Sequence, residues 1–268
     1  MPRVSIIMGE YNCKSMELLS QTVQSLINQT YTNWELIICD DGSSNNTYSM
    51  LESIKQLDPR IKIIKNEENQ GLGFALNTCL QYATGEYIAR QDDEDISTPN
   101  RLQAQVDFLD NHPEYDLVGT NAVLFDDDGE WGNYNLPEYP NRYSFLWSSP
   151  FLHPSIMIRK SVYDECNGYC TDKDALRCED YDLFMRIYAS GHIGYNIQKQ
   201  LYRYKSVNDK KNKYRSMTDR IREAKIRLKG FRSLKLGVYS IPYIIKPILI
   251  GLIPQRIFYQ IKKSQHEN

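Results

Sequence analysis

Four adjacent acids, Asp92-Asp93-Glu94-Asp95, are the side chains of this chain best suited to chemistry. Ionised carboxylates packed side by side repel one another, and the run costs stability unless a cation neutralises it. Hard oxygen donors suit Mg2+ or Mn2+, which takes one or two carboxylates and fills its shell with phosphate oxygens and water. A second acidic turn, Asp40-Asp41-Gly42-Ser43, offers carboxylate oxygens to ribose hydroxyls or a base N–H. Gly42 lets the backbone there turn and approach a ligand. The same stretch also fits a helix cap, because Ser43, Ser44, Asn45 or Asn46 could close a helix starting near Thr47. Glu179-Asp180 is a third acidic pair at the start of a helical pattern, where an Asp is either a cap or a catalytic acid–base group. His153, isolated before Pro154-Ser155, reads as structural.

Other chemistries are poorly supported. Asn69-Gln70-Gly71-Leu72-Gly73 fails the dinucleotide fingerprint, whose third glycine would fall on Leu76. There is no phosphate-binding GxxxxGK[ST] loop, and no Cys–His or Ser–His–Asp set is convincing with four histidines. Cys13, Cys39, Cys79, Cys166, Cys170 and Cys178 read as small hydrophobes rather than a disulfide frame, and Cys166-x3-Cys170-x7-Cys178 lacks zinc spacing.

The elements that must carry these residues follow from hydrophobic periodicity. Continuous apolar runs at Val4–Met8, Trp34–Cys39, Ile61–Ile64, Tyr87–Ala89 and Leu117–Gly119 predict strands buried on both faces. Between them, Leu19/Val23/Leu26, Leu51/Ile54, Phe74–Ala83 and Leu102/Val106/Leu109 recur at helical spacing, the last helix being started by Pro99. Alternating β and α segments predict an α/β fold: a mostly parallel central sheet flanked by helices, with a Rossmann-like first half. Ligands of such sheets sit at the carboxyl ends of the strands, where Glu10, Asp40 and the acidic run fall. Residues 126–152, turn-rich and aromatic, are expected to cover one side of the site. A helix is expected over Asp180–Ser190.

The 268 residues carry a net charge of -2, with 41% hydrophobic residues and mean hydropathy -0.56, which excludes a disordered chain or a polytopic membrane protein. The charge is split. Residues 199–268 hold 18 Lys and Arg against four acids, and residues 1–198 hold 14 against 30. A basic tail points to an anionic surface, while an acidic body repels nucleic-acid phosphates, so no nucleic-acid partner is expected. Residues 236–259 are the most apolar stretch, but Pro242, Pro247, Pro254, Lys246 and Arg256 argue against one straight span. Short segments lying in a membrane interface are expected, with Ile244, Ile245, Ile248, Leu249, Leu252 and Ile253 in lipid. The alternative is that the stretch packs on the protein or forms a homodimer contact. The apolar stretch after Met1-Pro2-Arg3 is too short for a signal peptide, so a cytoplasmic location at the inner face of the membrane is expected.

VSIIMGEYN, ELIICDDGSSNNT, NQGLGFALNTCL, GEYIARQDDEDISTPNRLQAQVDFL, HPSIMIRKSVY and CEDYDLFMRI, in this order, resemble family 2 glycosyltransferases over roughly residues 3–190. The resemblance implies a GT-A fold, a nucleotide-sugar donor, most simply UDP-linked, a Mn2+ or Mg2+ ion and inversion at the anomeric carbon. It assigns Glu10 and Asn12 to the first nucleotide loop and Asp41 to the uracil or ribose. The family's Asp-x-Asp motif falls on Asp92-x-Glu94, followed by Asp95. Asp92 and Asp93 are thus expected on the donor, and the metal on Glu94 or Asp95. Asp180 matches the catalytic base, with Glu179 beside it. The implied division is a GT-A domain over 1–205, with a nucleotide-sugar half over 1–121 and an acceptor half over 122–205. A basic helical tail over 206–268 follows. The Q-x-x-R-W motif of processive synthases is absent, so one sugar per encounter to a glycan or lipid-linked acceptor is expected, in bacterial surface polysaccharide synthesis. The other readings are a sugar-phosphate nucleotidyltransferase, which would want a basic Gly-rich loop where Glu10-Tyr11-Asn12 stands, and a non-catalytic nucleotide-sugar binder.

Overall fold

The computed structural model describes residues 3–206 and 215–252. Strands β1 (Val4–Glu10), β2 (Trp34–Asp40), β3 (Ile61–Lys65) and β4 (Tyr87–Arg90) pair in parallel in the order β3-β2-β1-β4. The connections are α1 (Met16–Ile27), α2 (Thr47–Lys55) and α3 (Leu72–Tyr82). The strands are apolar on both faces because both faces are covered. Val4, Ile6 and Met8 pack with Leu19, Val23 and Leu26 of α1 on one side, and Ile7 and Ile37 pack with Ala75, Leu76 and Cys79 of α3 on the other. Register aligns Glu10 with Asp40, so the polar ends of β1 and β2 lie side by side.

After the acidic run come β5 (Ile96–Ser97), α4 (Arg101–Asn111), β6 (Leu117–Asp126) and β7 (Gly129–Tyr134). They are followed by β8 (Met157–Arg159), α5 (Lys160–Glu165), α6 (Glu179–Ala189) and β9 (Gly194–Lys205). Among the described residues the sheet has nine strands. β8 inserts antiparallel between β4 and β6, β9 runs parallel to β6, and β5 closes the edge against β9. β7 pairs antiparallel with β6, so β5, β7 and β8 oppose the direction of the other six strands. The α/β architecture expected from periodicity is present. Strands β5, β7, β8 and β9 are additions to that expectation, and β6 runs past the predicted Leu117–Gly119.

The expected C-terminal helical extension is α7 (Met217–Ser233) and α8 (Ile241–Gly251). Ser216 caps α7 by accepting from the Asp219 N–H. Ile226, Phe231, Leu234 and Leu236 belong to the same apolar core as β1, α3 and α6, and Gly230 leaves space for Met185 of α6. Ile244, expected in lipid, packs against this core instead, because Pro247 and the residues beside it turn inward. Among the described residues no helix is long and apolar enough to cross a membrane. Ile253, Pro254 and Arg256 lie outside the described residues.

Candidate active site

The loops after β1 and β2 are locked together. Asn12, in the left-handed backbone region, donates its N–H to Ser43 Oγ at 2.9 Å and accepts from the Ser44 N–H at 3.0 Å. Asp41 holds the segment before α3: Oδ1 accepts from Asn66 Nδ2, and Oδ2 accepts from the N–H groups of Gln70 and Gly71 at 3.1 and 2.7 Å. Three lone pairs are engaged, which leaves the carboxylate one further acceptor direction. Gly42 is required here, since a Cβ would lie 2.4 Å from the Glu68 backbone. Glu10, Tyr11, Asp41, Gly71 and Leu72 wall a pocket of about 150 Å3. That is below the roughly 300–1,000 Å3 of whole-ligand sites, so it has room for one end of such a ligand. Glu10 is buried beside Asp93. Burial and the Asp93 carboxyl push Glu10 well above the usual carboxylate range.

The acidic run is held from beneath by buried cations. Arg90, fully buried, bonds the Asp92 carboxylate and the Gln91 carbonyl. Arg101, also fully buried, donates to Gln91 Oε1, Ser97 Oγ, Gln105 Oε1 and the carbonyls of Arg90 and Ile156. Gln91 Nε2 in turn donates to the carbonyls of Asp92 and Asp95, and Thr22 Oγ1 donates to the Asp93 carbonyl. Asp95 is buried, and its Oδ1 accepts from the Lys205 N–H of β9 at 2.7 Å. Its Oδ2 is buried with no hydrogen-bond partner among the described residues. Glu94 is exposed. Among the described residues no three His, Cys, Asp or Glu side chains form a ready-made metal cage. The donors nevertheless fit a hard divalent cation: all are oxygens, one is buried and unpartnered, and such ions draw remaining ligands from phosphate and water.

Asp180 occupies the first turn of α6, where Cys178 is the N-cap residue and makes no side-chain cap bond, so Asp180 is not the cap. Glu179 Oε1 accepts from the Arg177 N–H at 2.9 Å, and Gly73 lets this side chain approach the start of α3, since a Cβ would meet Glu179 Cγ at 3.2 Å. Burial pushes the Asp180 carboxyl up to about 6, and Glu179 adds to the shift while the Tyr181 N–H and Arg215 oppose it. The charge of Asp180 is felt at Tyr134 and Tyr169, and Tyr134 neighbours Tyr204, which faces Asp92 and Asp95. Tyr134 and Tyr204, which pack on one small apolar cluster, thus connect Asp180 to the acidic run. Asp182, by contrast, is spent on Arg186, which holds the carbonyls of Cys166 and Gly168. His153 is structural, as expected: it is half-buried, its ring pushed toward the neutral form by desolvation and Arg90, and bonded to the Tyr169 hydroxyl at 2.8 Å. Arg90, Arg101 and Gln105 were not anticipated from sequence. The only signal was the i, i+4 spacing of Arg101 and Gln105 beside the apolar stripe of α4.

The sequence profile of glycosyl transferase family 2 matches residues 5–167. The chain belongs to glycosyltransferase family 2. EpsE of Bacillus subtilis (strain 168), named a glycosyltransferase, is 39% identical over 100% of this chain and 95% of its own. WfgD of Escherichia coli is named a UDP-Glc:alpha-D-GlcNAc-diphosphoundecaprenol beta-1,3-glucosyltransferase. It is 39% identical over 128 residues, which are 45% of this family 2 chain and 49% of that protein. S. aureus TarS 1–349 in complex with UDP-GlcNAc superimposes with a TM-score of 0.68 at 17% identity, covering 95% of this chain and 82% of that one. The mannosyltransferase PcManGT from Pyrobaculum calidifontis, in complex with GDP-Man and Mn2+, gives 0.64 at 18% identity, covering 98% and 80%. The family 2 chain thus has the GT-A fold expected from its motifs.

Proposed function

We propose that this family 2 glycosyltransferase is an inverting enzyme of bacterial surface polysaccharide synthesis. It moves one sugar from a UDP-sugar to a hydroxyl of a lipid-linked saccharide. The observation that carries the reading is Asp180, a half-buried carboxyl in the first turn of α6, raised to about 6. The names of WfgD and TarS–UDP-GlcNAc support the UDP-linked donor, WfgD supports the lipid-linked acceptor, and PcManGT supports a divalent ion.

In this reading Glu10, Asn12 and Asp41 form the nucleoside end of the site, and Asp92 and Asp93 bind the donor beyond it. Glu94 with Asp95 would hold Mn2+ or Mg2+, which when bound neutralises charge on the diphosphate leaving group. Asp180 accepts the proton of the acceptor hydroxyl as that oxygen bonds to C1 and the C1–O bond to the diphosphate breaks. Glu179 braces Asp180. Attack on the face opposite the leaving group inverts the configuration, and alignment of donor and acceptor supplies much of the rate. The enzyme works at the cytoplasmic face of the membrane, reached through its basic C-terminal part.

The test is incubation with UDP-sugars and Mn2+. Slow release of UDP, accelerated by saccharide acceptors, supports transfer. Pyrophosphate-dependent exchange would establish a nucleotidyltransferase instead, and tight binding without turnover a non-catalytic binder.

A further inference from the structure

Two segments distant in sequence form one exposed apolar and aromatic surface. Along α8, Ile241, Ile245 and Leu249 recur every four residues, and the stripe continues at Leu252, with exposures of 50, 43, 56 and 69%. The opposite side of α8 is satisfied by the body: Pro247 is buried, Tyr243 and Ile244 pack on the core, and Arg220 bonds the Pro247 carbonyl. Among the described residues the stripe therefore remains unpartnered even though the helix is docked. At its flank stands Trp147, which is 61% exposed. Its backbone is fixed, because its carbonyl accepts from Arg227 and Lys246, and the Lys246 ammonium lies 3.4 Å from its ring centroid. Tyr243 meets the same ring edge-on.

We infer that this composite face, the α8 stripe bordered by Trp147 and Lys246, is a docking surface for an anionic lipid bilayer. The inference rests on the peripheral membrane location proposed above and names the residues that achieve it. Aliphatic side chains enter the acyl boundary, and an amphipathic indole backed by the Lys246 ammonium sits at headgroup level. Charge selects lipid over a second copy of the chain. Residues 224–266 contain nine Lys and Arg and no acid, and Lys229, Arg232 and Lys235 are exposed. Self-association would bring these like charges together, whereas anionic headgroups neutralise them. The surface also bears on the reaction. α8 lies on α7 and α7 on α6, whose first turn carries Asp180, so the cleft is held in a fixed relation to the lipid plane.

The test is flotation of the full chain with phosphatidylcholine vesicles, with and without phosphatidylglycerol. Wild type should float with the anionic vesicles and lose binding in high salt. Trp147 emission should shift to the blue and be quenched by lipids brominated on the acyl chain, and Trp147→Phe should remove that signal. The double variant Ile245→Glu/Leu249→Glu should bind at least roughly tenfold more weakly, with UDP-sugar hydrolysis unchanged. Hydrolysis reports the donor site separately, so loss of one activity is distinguishable from loss of the other. Full flotation of the double variant, or flotation without any change at Trp147, would overturn the surface while leaving the membrane location standing. Failure of wild type to float would overturn both. A wild-type dimer that the double variant dissociates would assign the face to a second copy.

Discussion

A general base works only when ionised, and Asp180 is raised to about 6 by burial. As pH falls through that value the acid form accumulates, so kcat/KM is expected to drop about tenfold per pH unit below 6 and to level off above 7. His153, its ring pushed toward the neutral form by desolvation and Arg90, does not contribute to the profile. A profile flat from pH 5 to 8 would remove Asp180 from the role. Asp180→Asn keeps the shape without the acceptor for the proton. Initial rates should show kcat lower by roughly 100-fold or more, with donor affinity by calorimetry nearly unchanged. Glu94 is exposed, so Glu94→Ala should fold normally. Its requirement for Mn2+ in donor turnover should rise by roughly tenfold or more. Full activity of thoroughly chelated wild type would show that the acidic run serves another purpose.

At the scale of elements, the turn between β4 and β5 depends on α4. Arg101 spreads its guanidinium over five acceptors on four segments, a geometry that the point charge of lysine cannot reproduce. Arg101→Lys is expected to cost about 3 kcal/mol in urea unfolding, because buried acceptors lose their donors. Stability within about 0.5 kcal/mol of wild type would mean that the network is incidental. Sequence revealed β1 to β4 because doubly covered strands read as unbroken apolar runs. It concealed β5 and β8, which have two and three residues, and β7, whose GEWGNY lacks a pattern. It concealed β9 because Lys199, Arg203 and Lys205 placed that strand with a basic tail. The acids of the site were legible as acids at element ends. The partners of Asn12 and Asp41 were not, since they lie about 30 residues away on other loops. Arg101 was hidden because an arginine on a helix ordinarily faces water.

For the molecule as a whole, the C-terminal helices are structural before they are anything else. Phe231 of α7 is 1% exposed within the main core. Phe231→Ala should cost about 3–5 kcal/mol and lower Tm accordingly, as read by calorimetry. An unchanged Tm would make α7 a separable appendage and favour a domain ending near residue 205. The bond from the Lys205 N–H to Asp95 joins positions 110 residues apart. A ribosome adding roughly 5–20 residues per second needs on the order of 6–20 s to deliver β9 after the acidic turn. During that interval strands β1 to β4 are complete, but Asp95 lacks the Lys205 N–H that fixes it. Translation thus finishes the scaffold early and the cleft late, and a chain stalled before β9 would have the shape of a sugar-nucleotide binder without the means to turn it over.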